Sequence, residues 1–223
     1  MLNQLPKDLP KDSILVTMDV KSLYTNIPNS EGIDAVKTYM RESDKRNLTP
    51  VISAFLTLIL TLNNFKFNDQ NILQPNLVSM GTKCATQYAN LFMGKFEEWY
   101  ILPKIRDAIL LYCRFIDDIF FIWTGTVERL IKMTEELNKT HPTIKFDTQY
   151  SKETINFLDT TLTITKEGML KTNIYSKPTD RKAYLHAKSY HPRCTKDTIS
   201  FSQALRIKRI CSEESDYQNN TDR

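Results

Sequence analysis

The pattern of apolar and polar positions predicts strands and helices that follow one another along the chain. Ile14–Val20 is rich in β-favouring residues, which predicts a strand. Residues 65–73 alternate around Asn68 and Asp69, a pair that favours a hairpin turn. The apolar block 109–123 is interrupted by Arg114 and by two adjacent acids. It predicts a tight hairpin of two buried strands, with the acidic pair at or beside the turn.

Helical spacing and capping residues predict helices over 29–43, 49–62, 82–99, 127–139 and 195–210. In the second of these helices, we expect Thr49 to be the N-cap and Pro50 the first helical residue. Further strands are predicted over 144–150, 157–165 and 170–175. This order is typical of an α+β fold, in which helices pack on one face of an antiparallel sheet.

The most apolar run of the chain, residues 51–62, predicts a buried helix. It is too short to span a bilayer, which requires roughly 20 residues, so no membrane association is expected. Met1 leads into a polar stretch and not into an apolar signal core. No pair among the four cysteines has metal-ligand spacing, so we expect reduced thiols.

The charge is distributed unevenly along a chain of ordinary composition. Hydrophobic residues make up 41% and charged residues 25%, which is typical of a globular protein, and the net charge is only +4. Residues 166–210, however, carry eleven Lys and Arg against three Asp and Glu. The counts separate a neutral body over 1–165 from a basic segment over 166–210. The basic segment favours a polyanion partner such as nucleic acid, or else it is a solvated basic surface.

Three carboxylates stand in unusually apolar surroundings. Asp19 lies within the first predicted strand, and Asp117 and Asp118 lie within the apolar hairpin. Because burying unpaired carboxylates is unfavourable, a bound cation would explain their positions. Mg²⁺ fits, since it prefers oxygen ligands and is usually held through one or two carboxylates. The alternatives are an Asp-Asp hairpin turn and, for Asp19, a strand-end acid that caps the next turn.

Several segments resemble the conserved blocks of Penelope-like reverse transcriptases, in the same order and over almost the whole chain. Residues 19–28 resemble their motif A, 80–85 with 88–93 their motif B, and 112–120 their motif C. Residues 156–159, 175–181, 191–192 and 202–206 are similar to the downstream blocks. The resemblance implies a right-hand polymerase palm over residues 1–165, followed by a basic partial thumb over residues 166–223. It also implies RNA-directed DNA synthesis from an RNA template, a DNA primer and deoxynucleoside triphosphates.

The resemblance assigns roles around two catalytic metal ions, Mg²⁺ or Mn²⁺. Asp19 and Asp117 would bind the metals with the backbone carbonyl of Val20, and Asp118 would lie beside them. Tyr24 would lie under the incoming sugar and exclude a 2′-hydroxyl; its alternative role is packing at a strand end.

Three further residues would surround the nucleotide. Gly81 would allow close approach of the template–primer, or else it forms a simple turn before a helix. Gln87 would shape the floor of the nucleotide pocket, at a position where the family has prolines or small residues. Lys145 would protonate the pyrophosphate, or else it faces solvent.

The basic segment would grip the phosphate backbone of the primer duplex. The residues expected to do so are Lys171, Lys177, Arg181, Lys182 and Lys188. Tyrosines at 175, 184 and 190 lie between them and would stack on sugars or bases, or pack within the protein.

The chain departs from the family in two respects: its sequence lacks the fingers blocks and the endonuclease that often follows. Without fingers, part of the apolar surface of 51–62 would be left uncovered. An alternative function is therefore a retroelement remnant that at most binds nucleic acid. A metal-dependent phosphodiesterase would use similar carboxylates, but the sequence has no candidate His or general base beside them. The family resemblance implies a nuclear location.

Overall fold

The computed structural model describes residues 2–74, 78–79, 81–180, 184–186 and 188–221. Its strands are β1 Ile14–Val20, β2 Asn63–Phe67, β3 Gln70–Gln74, β4 Ile109–Phe115, β5 Asp118–Trp123, β6 Phe146–Ser151, β7 Thr154–Phe157, β8 Thr160–Ile164 and β9 Leu170–Ile174. Its α-helices are α1 Asn29–Glu42, α2 Thr49–Thr61, α3 Ala85–Phe96, α4 Leu102–Ile105, α5 Val127–Thr140, α6 Arg193–Ile210 and α7 Glu214–Thr221. A π-helix, Glu97–Ile101, joins α3 to α4, and short 3₁₀ turns occupy Leu2–Gln4, Leu23–Thr25, Arg46–Leu48 and Arg106–Ala108.

The main sheet is antiparallel, with strand order β4-β5-β1-β6 in the described part of the chain. Side chains of a strand alternate between the two faces of a sheet. The inner strands of this sheet are buried on both faces, because each face is covered by a core. On one face, alternate residues of β1 and β5, such as Val16 and Phe121, join the larger core. On the other face, Leu15, Phe120 and Ile122 join a second core. Burial on both sides explains the continuous apolar runs in these two strands.

The larger core lies between the main sheet and a layer of helices. It takes buried side chains from α1, α2, α3 and α5, including Tyr88, Phe92 and Leu130. Helix α5 begins at a capped N-terminus, since the side chain of Thr126 accepts a hydrogen bond from the amide of Arg129 at 3.3 Å. The second core is closed by the small sheet β7-β8-β9 through Ile155, Phe157 and Leu162. The described structure is therefore an α+β fold with helices on one face of the main antiparallel sheet, as predicted.

Helices α1 and α3 approach each other closely at Gly32. A Cβ added at this glycine would lie 2.0 Å from the hydroxyl oxygen of Tyr88. The same hydroxyl donates a hydrogen bond to the carbonyl of Asn29 at 3.3 Å. The absence of a side chain at residue 32 therefore lets the Tyr88 ring pass over the first turn of α1.

The C-terminal helices dock on the small sheet. The hydroxyl of Thr172 donates to the carbonyl of Ile210, and the amide of Ser212 donates to the carbonyl of Thr172 at 3.0 Å. At the other end of this contact, Arg206 donates to a carboxylate oxygen of Asp159 at 3.0 Å. The predicted domain boundary after residue 165 falls in the loop between β8 and β9, which belong to one sheet.

Several segments differ from the sequence prediction. The predicted strand over 157–165 is wrong at its start, since Phe157 ends β7 and β8 begins at Thr160. The turn between them places Leu158 at a φ of +54°, a conformation that an apolar pattern does not signal. The predicted N-cap Thr49 is the first residue of α2, and Leu48 holds the cap position. Helix α7 was not predicted.

Helix α2 is only partly buried, which corrects the prediction of a buried helix over 51–62. Leu56 and Leu60 face the core, whereas Phe55 and Leu58 are 60% and 51% exposed. The expectation of uncovered apolar surface in this segment is confirmed. Among the described residues, none of the helices is long and apolar enough to cross a membrane.

We expect Leu60→Ala to destabilise the fold by about 2–5 kcal/mol, because Leu60 is 2% exposed and its truncation leaves a cavity. Urea unfolding monitored by circular dichroism measures this change. Leu58→Ala on the exposed face of the same helix is the matched control and should change stability by no more than about 0.5 kcal/mol. Equal effects of the two substitutions would contradict the observed orientation of α2.

Candidate active site

The register of the main sheet places three carboxylates in one row. Asp19 of β1 is paired with Asp118 of β5 on one side and with Asp147 of β6 on the other. Directly opposed residues of antiparallel strands point to the same face, with Cβ atoms about 4.5–5.5 Å apart. This is the face of Leu15 and Phe120, opposite the helical layer. The three acids therefore share one surface at the end of the sheet.

Asp117 lies in the two-residue turn that joins β4 to β5. Ile116, the first residue of this turn, has a φ of +57°, which is an outlier for a β-branched residue. The carbonyl of Asp117 accepts a hydrogen bond from the amide of Val20 at 3.2 Å. This bond ties the turn to the end of β1, so Asp117 is held beside the row of acids.

The electrostatic environment of the row disfavours negative charge. Burial, followed by the charges of Asp117 and Asp147, raises the pKa of Asp19. Burial, followed by Asp117 and Asp19, raises the pKa of Asp118, and Lys177 opposes this shift. A cation at this surface would relieve the mutual repulsion of the carboxylates.

The donor set fits a hard divalent cation. Carboxylate and carbonyl oxygens are the ligands that Mg²⁺ prefers, and it usually keeps several waters and binds only one or two protein carboxylates. Over the described residues, no group of three His, Cys, Asp or Glu side chains is arranged so that it could hold a metal ion. Asp19 and Asp117, with the carbonyl of Val20, are the residues that would hold such an ion.

A cavity of about 170 Å³ lies on this surface. Its lining consists of Thr17, Met18, Asp19, Asp118, Asp147, Gln149, Asn156, Phe157 and Leu158. Asp147 and Asn156 were not among the candidates from the sequence. Asp147 is an exposed residue next to the buried Phe146, and only the register of β6 against β1 distinguishes it from an ordinary solvent-facing acid.

Three of the four predicted nucleotide-binding residues lie after β1 and around the start of α3. Tyr24 is half-buried in the 3₁₀ turn after β1, and its carbonyl accepts a hydrogen bond from the amide of Val78 at 3.1 Å. Gly81 precedes α3 in open space, since a Cβ added there would meet no atom within 4 Å. Gln87 is exposed on α3. Motif B also includes Met80, which lies outside the described residues.

Lys145 forms hydrogen bonds with the C-terminal end of α5. Its ammonium donates to the carbonyls of Asn138 and His141, both at 2.6 Å. These bonds satisfy terminal carbonyls of the helix and place a positive charge at its C-terminus. A role as general acid requires Lys145 to leave this position.

The predicted phosphate-binding residues are dispersed along the basic segment. Lys171 pairs with Glu213 at 3.3 Å. Lys177 is exposed in the loop after β9 and acts electrostatically on Asp118. Lys188 is exposed before α6. Arg181 and Lys182 lie outside the described residues.

Residues 3–176 match the family described as reverse transcriptase (RNA-dependent DNA polymerase). The chain belongs to this family. By this membership, the prediction of an RNA-directed DNA polymerase domain is confirmed. Residues 183–223, which include α6 and α7, match an animal helix-turn-helix domain. No curated protein sequence matches the chain significantly.

Several solved polymerases are similar in fold to this reverse transcriptase. The telomerase from Candida albicans in complex with a TWJ fragment of telomeric RNA has a TM-score of 0.60 and 10% identity, over 90% of this chain and 36% of that chain. A telomerase from Candida tropicalis with the same kind of RNA fragment has a TM-score of 0.55 and 14% identity, over 94% of this chain and 37% of that chain.

A viral polymerase, the BmCPV RNA-dependent RNA polymerase at elongation state, has a TM-score of 0.54 and 11% identity, over 72% of this chain and 16% of that chain. The chain thus spans well under half the length of each of these three proteins. At such identities the likeness concerns the fold, and it confirms the α+β polymerase palm.

We expect Asp19→Asn to raise the melting temperature at pH 7 without divalent ions. Because the pKa of Asp19 is raised in the folded state, its stabilising contribution is complete below the ordinary Asp pKa of about 3.9 and is lost as pH rises through the folded value. Removing the charge restores this stability. Solvent screens the exposed carboxylate, so the gain should be small, roughly 1–3 °C by differential scanning fluorimetry.

If Asp19 binds a metal ion, added Mn²⁺ should raise the melting temperature of the wild type more than that of Asp19→Asn. Asp44→Asn, at an exposed position outside the site, is the control and should respond like the wild type. An equal response of all three proteins to Mn²⁺ would contradict a metal site at Asp19.

Proposed function

We propose that this chain is the palm and early thumb of a Penelope-like retroelement reverse transcriptase, which synthesises DNA on an RNA template with two Mg²⁺ or Mn²⁺ ions. The observation that carries the proposal is the pairing of Asp19 with Asp118 across two strands, with Asp117 in the adjoining turn. Membership of the reverse transcriptase family supports the chemistry. The order and spacing of the motifs support the Penelope-like subfamily.

The metals would be held by Asp19, Asp117 and the carbonyl of Val20. When bound, they supply activation of the primer 3′-hydroxyl and neutralisation of the triphosphate and leaving group. Asp118 maintains negative potential beside these ligands from the row of acids. Asp147 adds a further carboxylate on the other side of Asp19 and belongs to the same pocket.

The nucleotide would enter over Tyr24, Gly81 and Gln87. Tyr24 follows the strand that carries Asp19 by a single turn, which suits a side chain under the sugar of the incoming nucleotide. Its ring would exclude a 2′-hydroxyl and select deoxynucleotides. Gly81, with open space above it, leaves room for the template–primer.

The template–primer would lie along the basic segment. Of the predicted phosphate-binding residues, Lys177 acts electrostatically on Asp118, and Lys171 and Lys188 lie before and after it in the sequence. Arg181 and Lys182 fall between them in sequence. We extend to this chain the binding of RNA that is stated for the two telomerases, and we propose a nuclear location on the family resemblance.

The alternative, an inactive remnant that at most binds nucleic acid, is less well supported. The carboxylates of motifs A and C are intact, and Asp19 and Asp118 line one pocket. A decayed sequence is under no constraint to preserve like charges in apolar strands, where they are unfavourable.

Primer extension on an RNA template with Mg²⁺, and then with Mn²⁺, tests the proposal. We expect the wild type to extend the primer and Asp117→Asn to lose at least about a hundredfold in rate, because the variant lacks a metal ligand. Asp44→Asn should retain wild-type activity. No extension by the wild type with either metal would favour the remnant.

We further expect Tyr24→Ala to incorporate ribonucleotides more readily, because the ring that would exclude the 2′-hydroxyl is removed. The ratio of kcat/KM for deoxy- and ribonucleotides should fall by about tenfold or more. Tyr24→Phe retains the ring and is the control, with a ratio close to that of the wild type. An unchanged ratio in Tyr24→Ala would show that Tyr24 serves packing alone.

A further inference from the structure

A buried hydrogen-bond network lies behind the catalytic turn, and Arg114 is at its centre. The Nε atom of Arg114 donates to a carboxylate oxygen of Glu97 at 2.6 Å. Its Nη1 atom donates to the side-chain oxygen of Asn90 at 2.8 Å and to the carbonyl of Ile116 at 3.1 Å. The hydroxyl of Tyr112 donates to the same oxygen of Glu97 at 2.7 Å. One guanidinium thus joins α3, the π-helix and the β4–β5 hairpin.

This network is too deeply buried to be explained as a surface ion pair. The side chains of Arg114 and Glu97 are 15% and 11% exposed. Desolvation of such a pair opposes much of its Coulomb attraction, so the pair is weak evidence for stabilisation. Burial, followed by the charge of Glu97, raises the pKa of Tyr112, which keeps its hydroxyl protonated as a donor. A network of this kind is better explained by the geometry that it fixes.

The geometry that it fixes is that of Asp117. The peptide unit before Asp117 is held through its carbonyl, on Ile116, by Arg114. The peptide unit after Asp117 is held through its carbonyl by the amide of Val20. Both peptide planes that flank the Cα of Asp117 are therefore anchored, which restricts the direction of its carboxylate.

The turn requires such an anchor because its backbone is strained. Ile116 is β-branched and has a φ of +57°, a conformation that costs of order 1–3 kcal/mol and persists only when its surroundings enforce it. The side chain of Ile116 packs against the helix-side core, and its carbonyl is held by Arg114. Without the hydrogen bond from Arg114 to this carbonyl, the strained conformation of the turn would be less stable.

We propose that Arg114 is a positioning residue that sets the orientation of the metal-binding Asp117 and couples it to α3, the helix that carries Asn90. The proposal rests on the proposed function in that Asp117 binds a catalytic metal. Arginine suits the role, since its planar fork donates to several acceptors at fixed angles, whereas lysine presents a single compact ammonium. Arg114→Lys therefore keeps the charge opposite Glu97 but loses the simultaneous contacts to Asn90 and Ile116.

Hydrogen–deuterium exchange of the metal-free protein tests the anchor without reference to activity. In Arg114→Lys we expect the amides of the turn and of Val20 to exchange about tenfold faster or more, because the turn opens more often. Arg129→Lys is the matched control, since Arg129 forms an exposed pair with Asp107 at 2.8 Å away from the turn. Its turn should exchange like that of the wild type. Unchanged exchange in Arg114→Lys would overturn the proposal.

Binding of Mn²⁺ alone, measured by electron paramagnetic resonance, tests the consequence for the site. We expect Arg114→Lys to bind Mn²⁺ about 10–100-fold more weakly than the wild type, as for other residues that orient a metal ligand. Equal affinity in the two proteins would overturn the proposed effect on Asp117. If the wild type itself does not bind Mn²⁺, the proposed metal site fails, and the exchange experiment still decides whether Arg114 anchors the turn.

The double variant Arg114→Leu with Glu97→Leu separates positioning from folding. Removing both charges leaves no unpaired buried ion, so we expect this variant to be much more stable than Arg114→Leu alone. Its turn should nevertheless exchange rapidly, because the bond to the Ile116 carbonyl is still missing. A double variant with wild-type exchange and Mn²⁺ affinity would show that the network serves packing, and it would overturn the proposal.

Discussion

The register of β1 against its two neighbours is the constraint on which the rest of the structure depends. Side chains of a strand alternate in direction. A slip of one residue would therefore turn Asp19 towards the helices and Met18 towards the pocket that the acids line. Such a slip is highly unfavourable because it would bury the carboxylate of Asp19 in the helix-side core, where Met18 and Val20 now pack. Apolar packing throughout the sheet thus determines where the acids meet at its end.

Motif C contains a basic residue, Arg114, and an acidic residue, Asp118, whose surroundings in the fold are opposite in character. Arg114 is largely buried, and its guanidinium donates to several oxygen acceptors. Asp118, on the opposite face of the hairpin, borders an open pocket with other carboxylates and has a raised pKa. On the helix side of the hairpin, the charge of Arg114 is neutralised by Glu97. On the solvent-facing side, the carboxylates repel one another. Such an arrangement suits the proposed metal site, whose carboxylates need fixed positions.

Features encoded locally could be predicted from the sequence, whereas features set by distant strands could not. The strand Ile14–Val20 and the acidic hairpin follow from runs of β-favouring residues and from a break in an apolar block. The position of Asp147 beside Asp19 depends on the pairing of strands more than a hundred residues apart, to which no local pattern corresponds. The turn at Leu158 is likewise enforced by its surroundings, because an isolated leucine disfavours a positive φ. The hydrogen-bond acceptors of Arg114 could not be predicted either, because they depend on how α3 packs against the hairpin.

The close approach of α1 and α3 has a consequence for sequence change in the helical layer. Since a side chain at residue 32 would overlap the ring of Tyr88, a larger residue there is compatible with the present spacing only if residue 88 becomes smaller. A smaller residue at 88 with glycine retained would instead leave a void beneath α1. Among related sequences that keep this helix spacing, the two positions should therefore covary as a pair.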